Sequence, residues 1–546
     1  MGSCFPCNLS SFGEKQNQLN IGKCPGCGDT LSRDKYSINR IELSDAEKHL
    51  FEDEIKNSLL LSQYQYSPNQ SDQKRKKDSS ISISNNLFIK ELTDSPEKTY
   101  KIIKLLGEGT YGAVYLAENI FTKEQVAMKK IAKKSEDMLS DGEIMDEIDI
   151  LKGLDHPDIV KIYEFYKTND YYYIIMEFCT GGELYDIIND EFSETEIAVI
   201  FQQILSGLAY LHSRDIVHRD LKLENILISD TEISNKQEKL FDIKIIDFGT
   251  AKIFDPNQKN KAVVGSSLYI APEVLDKKYG QECDLWSAGV ILYMFIVGHA
   301  PFEGASDRII MEKVKNGKYP RTDERWNNAS KEVKDLISKL LVIDPKQRLS
   351  AIQALKHPWF KITDSNILYQ NIPKDDIISC IKNLLSYGIK SKFEELVWAY
   401  IIHNLPRPKQ AKNAIKLFRL SNKNGDGKLL RTELKCTLLN FVTEGFLKNY
   451  DAIFSLLDSD NNGYIDYEEF LRAALDRNKV INEQVLRYAF FFFDRGNTGF
   501  ISKDKIKSFF VKEKLSEDQF MDIFNAIDSN GDGKIDFNEF KDMMIY

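Results

Sequence analysis

The chain has 546 residues, too many for one hydrophobic core, because single cores stop growing at about 250–300 residues. Its 42% hydrophobic and 29% charged residues read as a soluble globular protein, and a net charge of −10 argues against a nucleic-acid binder. No apolar run reaches the ~18 residues that span a bilayer and no apolar leader precedes a cleavage site, so the expected location is cytoplasmic.

Residues 1–95 read as a flexible arm rich in Ser, Asn, Gln and Lys, with helical spacing only at Ser44 to Leu61. The arm carries a basic run, Lys74 to Lys77, followed by Ser79, Ser80, Ser82 and Ser84. Cys4, Cys7, Cys24 and Cys27 leave three readings open: a zinc (Zn) knuckle, an acyl anchor giving peripheral membrane contact, or reduced thiols. Met1, Gly2, Ser3 and Cys4 favour the anchor, whereas Pro6 stands where the myristoylation motif has Ser or Thr.

From residue 100 to 360 the texture changes to apolar alternation and then long amphipathic segments. Leu106, Gly107, Glu108, Gly109, Thr110, Tyr111, Gly112, Ala113 and Val114 hold a G-x-G-x-x-G turn that lets backbone cover nucleotide phosphates. Such a triplet also serves ordinary turns, so its weight comes from the motifs downstream of it in the chain. Lys129, in Val126-Ala127-Met128-Lys129, is placed on a strand to pair phosphates and a helix carboxylate, for which Glu147 is the choice. Within His218-Arg219-Asp220-Leu221-Lys222-Leu223-Glu224-Asn225, Asp220 can accept a substrate hydroxyl proton and Lys222 can offset charge on the migrating phosphoryl group. Asn225 offers an amide oxygen to Mg²⁺, and Asp247, before Phe248 and Gly249, is expected to hold the metal bridging the phosphates. Glu273 is expected to pair with Arg348, and Asp284, Trp286 and Gly289 to open the helix anchoring the catalytic loop.

Together these motifs resemble the eukaryotic Ser/Thr protein kinases. The resemblance implies two lobes with ATP between them, Met176 guarding the back of the pocket, and a hinge at Glu177, Phe178 and Cys179. It also implies that Glu183 and Glu224 face basic residues upstream of the acceptor, although Glu183 also suits a contact to ribose. Between Gly249 and Gly265 only Thr250 carries a hydroxyl, beside Asp247, so a loop phosphate that pairs with Arg219 has no acceptor there. Ser266 reads as support for Asp220 and Lys222, and the switch is expected elsewhere.

Residues 361–409 read as two helices joined at Gly388, and 411–546 as four helix–loop–helix units. Loop 458–469 puts oxygen ligands at Asp458, Asp460 and Asn462, a turn at Gly463, the carbonyl of Tyr464, and a bidentate Glu469. Loop 528–539 repeats this with Asp528, Asn530, Asp532, Gly533, Lys534 and Glu539, a set that suits Ca²⁺ better than Mg²⁺. Loop 422–433, with Asn422, Asn424, Asp426, Lys428 and Glu433, has fewer charges and is expected to bind Ca²⁺ more weakly. In loop 494–505, Gly496 offers no side-chain oxygen and Lys505 places a cation at the twelfth position, so this loop is expected to be empty; Phe490 to Phe493 beside it read as core.

A kinase, a junction and four paired calcium units in this order resemble the calcium-dependent protein kinases of plants and protists. The fold class implied is α+β, a two-lobed kinase followed by an all-α domain of four EF-hands in two pairs. The resemblance implies a monomer that phosphorylates Ser or Thr of protein substrates and is autoinhibited by its junction until Ca²⁺ withdraws it, with Lys382, Lys390 and Lys392 as candidate plugs. A calcium-responsive scaffold with a dead kinase is the alternative, disfavoured because Lys129, Asp220, Asn225 and Asp247 are all in place.

Overall fold

The computed structural model describes residues 88–89, 91–109, 112–133, 141–233, 239–253, 265–363, 372–388, 391–404, 409–443, 445, 447–494, 496–510 and 516–545. The four N-terminal cysteines, the basic run with its serines, the helix read at Ser44 to Leu61, Thr110, Tyr111 and Lys390 lie outside them.

Six strands form the first layer: β1 (Glu91–Leu92), β2 (Tyr100–Gly109), β3 (Gly112–Asn119), β4 (Gln125–Ala132), β5 (Ile162–Lys167) and β6 (Tyr171–Glu177), in the order β1-β5-β6-β4-β3-β2. Only the β1–β5 pair is parallel; the others are antiparallel, and short connections join β2 to β3, β3 to β4 and β5 to β6. Period-two alternation sorts the side chains of β4. Val126 and Met128 join an outer cluster with Tyr100, Ala117 and Ile175, whereas Ile131 joins the main core, so Lys129 shares the inner face. The β2–β3 hairpin closes with Gly109 opposite Gly112. A Cβ at Gly112, whose φ is +146°, would lie 2.2 Å from the carbonyl oxygen of Lys130, so only glycine fits there.

The helix Asp141–Lys152 buries Ile144, Ile148 and Leu151 and carries Glu147 between them. Beneath the sheet, the helix Glu194–Ser213 starts at a reciprocal cap in which Ser193 Oγ accepts from Glu196 N and Glu196 Oε2 accepts from Ser193 N. The helix Glu282–Val297 is apolar nearly all round and buried along its length. Gly289 lets the helix Lys331–Leu340 approach it, because a Cβ there would sit 2.8 Å from Leu340 Cβ. One core runs from Ile89 to Phe360 through these elements.

A second core takes Phe88 and residues from Ile372 to Met544. It contains both junction helices, Lys374–Leu385 and Lys392–Asn404, together with the helices that flank the four loops. Two-residue strands pair the loops: Leu429–Leu430 with Tyr464–Ile465, and Ile501–Ser502 with Lys534–Ile535. The arm expected to end near residue 95 gives way earlier to ordered chain. Phe88 packs against Tyr400 and His403, and β1 extends the sheet edge, because each finds an apolar or backbone partner there. The aromatic run also differs from expectation at one position: Phe490 and Phe493 are buried, but Phe491 is exposed and meets the Phe121 ring of the first half in a tilted contact at 5.2 Å. Among the described residues no helix is long and apolar enough to cross a membrane.

Candidate active site and ion-binding loops

The inner face of β4 and the helix beside it meet at one ion pair. Lys129 Nζ lies 2.6 Å from Glu147 Oε1 and 3.6 Å from Asp247 Oδ1. Burial works against charge on Lys129, but the two carboxylates outweigh it and raise its pKa above the ordinary lysine value. Burial likewise opposes ionisation of Asp247, yet Lys129 and His218 hold its carboxyl below the usual range. A strand, a helix and the start of the loop after residues 239–245 are thus drawn to a single cation.

The catalytic-loop candidates sit on a backbone held in an unfavourable conformation. Arg219 and Asp247 have φ of +70° and +61°, a region that side chains other than glycine rarely occupy. The buried carboxylate of Asp284 holds that turn, accepting from the backbone N of His218 at 3.0 Å and of Arg219 at 2.9 Å, with His212 Nε2 at 2.9 Å. Burial resists this charge, and the His212 hydrogen bond more than compensates, keeping Asp284 below its ordinary pKa. His218 donates from Nε2 to Ile246 O at 3.0 Å, tying the loop to the strand that precedes Asp247.

Asp220 is gripped on both oxygens. Oδ1 accepts from Ser266 N at 3.0 Å and Ser266 Oγ at 3.1 Å, and Oδ2 accepts from Lys222 Nζ at 2.7 Å. Lys222 also donates to Ser266 Oγ at 3.3 Å. Asn225 Nδ2 donates to the carbonyl of Asp220 at 2.9 Å, which leaves its amide oxygen as the atom able to face a cation. Glu273 and Arg348 form a buried bidentate pair at 2.5 and 2.9 Å that locks the end of this segment to the helical layer. Arg219 Nε donates to Thr250 O, so its guanidinium is engaged without a phosphate.

On the hinge, Met176 and Glu177 end β6, and Glu177 N donates to Lys161 O at 2.9 Å. Its carboxylate lies 2.9 Å from Nζ of the buried Lys244, while Cys179 is buried just beyond. Glu183 opens a short 3₁₀ turn nearby. Burial and the carboxylates of Asp186 and Glu224 push its pKa up, marking an acidic patch beside Lys222.

In loop 458–469, Asp458, Asp460 and Glu469 bring carboxylate oxygens within 4.8 Å of one another. Burial and Asp466 push Glu469 up to about 8, an energetic cost of assembling acidic groups that a divalent cation would relieve. Asp528 accepts from Gly531, Asp532 and Gly533 N, and Glu539 folds back to accept from Ser529 N at 3.0 Å. In loop 422–433, Asn424 and Lys428 N bond to Asp426, while Oδ1 of Asn422 is buried without a hydrogen-bond partner. Burial pushes Glu433 up to about 7. The donor sets of these three loops fit Ca²⁺ in kind, all hard oxygens, one of them, Asn422 Oδ1, buried without a hydrogen-bond partner.

Several contacts between the halves fall on the segment that comes after the helix bearing Glu147, and others reach Tyr210, Glu232 and Asp242. Arg419 reaches Asp158 at 2.6 Å and Asp242 at 2.5 Å, and Lys161 pairs with Glu468 at 2.5 Å. Glu468 N donates to Asp155 Oδ2 at 2.9 Å, and His403 Nδ1 of the second junction helix lies 2.8 Å from Glu468 Oε1. The turn at Gly427 presses on the Tyr210 ring, where a Cβ would come within 2.4 Å. Glu468 is the residue immediately before Glu469, so a candidate loop ligand and an interface residue are chain neighbours. No sequence pattern marked Glu468, Arg419 or Phe88, since each acquires its role from a partner far along the chain.

A protein kinase domain model matches residues 100–360, and a model of an EF-hand domain pair matches residues 412–475 and 483–545. Over 474 residues the chain is 37% identical to Calcium-dependent protein kinase 4 of Plasmodium falciparum (isolate 3D7), spanning 84% of this chain and 88% of that protein. Calcium-dependent protein kinase 3 of Plasmodium berghei (strain Anka) is 38% identical over 482 residues, 86% of this chain and 84% of that protein. Calcium-dependent protein kinase 5 of Plasmodium falciparum (isolate 3D7) is 39% identical over 447 residues, 80% of this chain and 76% of that protein.

Proposed function

This chain belongs to the calcium-dependent protein kinases, and from that premise we propose which residues carry its calcium-activated phosphoryl transfer from ATP to Ser or Thr. The observation that carries the assignment is the convergence of Glu147 and Asp247 on Lys129, beside an Asp220 held on both oxygens. Lys129, fixed by Glu147, orients the phosphates under the glycine-rich hairpin, and the hinge backbone at Glu177 and Cys179 receives the base. Asp220 accepts the proton of the acceptor hydroxyl. Lys222 and Ser266 hold it in place, and Lys222 balances charge on the transferred group. Mg²⁺ held by Asp247 and the amide oxygen of Asn225 neutralises phosphate charge when bound.

The acidic patch of Glu183 and Glu224 is proposed to select basic residues upstream of the acceptor. A peptide series is expected to lose about tenfold in kcat/KM when the upstream Arg or Lys becomes Ala, the scale of a charge-assisted contact. Equal rates across the series would remove this role.

Regulation is proposed to run through the junction and the interface together. The junction helices pack in the second core, which supports a reading in which they leave it at low Ca²⁺ to block substrate, with Lys382, Lys390 and Lys392 as the candidate plugs. Contacts to Asp155, Asp158 and Lys161 additionally steady the pivot of the helix carrying Glu147. The first core lies within residues 89–360, so a chain ending after Phe360 retains it whole. That truncation is expected to ignore Ca²⁺ yet to work more slowly than the calcium-saturated full chain, because the pivot has lost its support. A truncation that still requires Ca²⁺ would rule out the junction, and one as fast as the full chain would rule out the support.

A further inference from the structure

Loop 494–505 lacks the closing carboxylate of its three counterparts, and yet its described residues repeat their hydrogen bonds. Asp494 at the first position is 2% exposed, and its Oδ2 accepts from Gly499 N at 2.7 Å. Asp528 and Asp458 accept from Gly533 and Gly463 in the same way, at 2.8 and 3.1 Å. The residue at the twelfth position is also capped alike: Ser502 Oγ accepts from Lys505 N, as Asp466 and Asp536 accept from Glu469 and Glu539. What differs is the centre of the loop. Lys505 Nζ lies 2.6 Å from Asp494 Oδ1, 3.0 Å from Thr498 Oγ1 and 3.2 Å from the carbonyl of Phe500.

Those three oxygens stand at the first, fifth and seventh positions, the ones that would ligate Ca²⁺. An ammonium has three N–H donors and no acceptor, so three oxygens satisfy it completely. The third position, Gly496, has no side-chain oxygen, and the number of acceptors therefore matches the number of donors. We propose that this loop carries its own cation: the Lys505 ammonium occupies the ion position and holds the loop closed at every Ca²⁺ concentration. Burial opposes the charge on Asp494, but the hydrogen bonds from Lys505 and Thr498 hold it below the ordinary range, in keeping with a standing ion pair.

The consequence reaches the fourth loop. Ile501 pairs with Ile535 and Ser502 with Lys534, and Lys534 Nζ lies 4.1 Å over the Phe500 ring whose carbonyl accepts from Lys505. A loop already closed on one side of this ladder pre-forms the loop that must bind Ca²⁺ on the other, so less of the binding free energy goes into ordering it. The proposal is independent of the kinase assignments, since it concerns a loop that binds no substrate.

Hydrogen exchange of the full chain, followed by mass spectrometry in chelator, tests it through peptides covering 494–505, with peptides of the first core as an internal folding standard. The wild type is expected to protect this loop without Ca²⁺. Lys505→Met, which keeps the aliphatic stem and removes the cation, is expected to exchange there about tenfold faster, the scale of charge-assisted bonds lost. It should also raise the Ca²⁺ midpoint of activation several-fold. Lys505→Arg, which keeps a cation, is expected to preserve most of the protection. Wild-type protection in Lys505→Met, or equal loss in the Met and Arg variants, would overturn the proposal.

Discussion

Asp220→Asn is expected to lower kcat for phosphoryl transfer by about 10³-fold while leaving the KM for ATP within a factor of two, since a positioned general base contributes roughly 10²–10⁴-fold. Asparagine preserves the shape of the side chain and can keep an oxygen toward Ser266 N, so the loop has no reason to collapse. What it loses is the negative charge that pairs with Lys222 and the ability to take a proton from the acceptor hydroxyl. The set proposed to hold ATP is a different one, Lys129 with Glu147 and Asp247, whose ion pairs do not run through Asp220. Steady-state kinetics with a serine peptide measures both constants. Activity within tenfold of wild type would mean that the proton leaves by another route.

The second large effect is expected from the paired change Glu469→Gln and Glu539→Gln, which should move the Ca²⁺ midpoint of activation at least tenfold higher. Each glutamate supplies two oxygens and one negative charge at the twelfth position; glutamine supplies one neutral oxygen. In the structure both carboxylates fold back over their loops, accepting from Ser459 and Ser529 N. Maximal rate at saturating Ca²⁺ should be nearly unchanged, because neither residue approaches the cleft. A Ca²⁺ titration of peptide phosphorylation reads both quantities, and an unmoved midpoint would show that these two loops are not the sensor.

The residues proposed for catalysis could be picked out of the sequence because phosphoryl transfer constrains residue types at fixed spacings. Lys129, Glu147, Asp220, Asn225 and Asp247 are brought together, and even the distant Glu273 and Arg348 meet. The loops were legible for the same reason: a cation of given size dictates where oxygens must stand. Contacts between the halves were not. Lys161 and Glu468 are 307 residues apart and Asp158 and Arg419 are 261 apart, and neither pair belongs to a repeating pattern. The upstream boundary was also hidden, because Phe88 enters one core and Ile89 the other, a change of side within a single peptide bond that composition averages away. Lys505 is the intermediate case: its charge at the twelfth position argued against an ion, but only the three-dimensional placement of its ammonium reveals what stands there instead.

Calcium control of catalysis is tested most directly by radiolabelled phosphate transfer from ATP to a basic serine peptide, using the full chain with saturating Ca²⁺ and again with chelator. Incorporation should be rapid in the first and fall to near background in the second, with activity restored when Ca²⁺ is returned. Equal rates in both buffers would contradict the account.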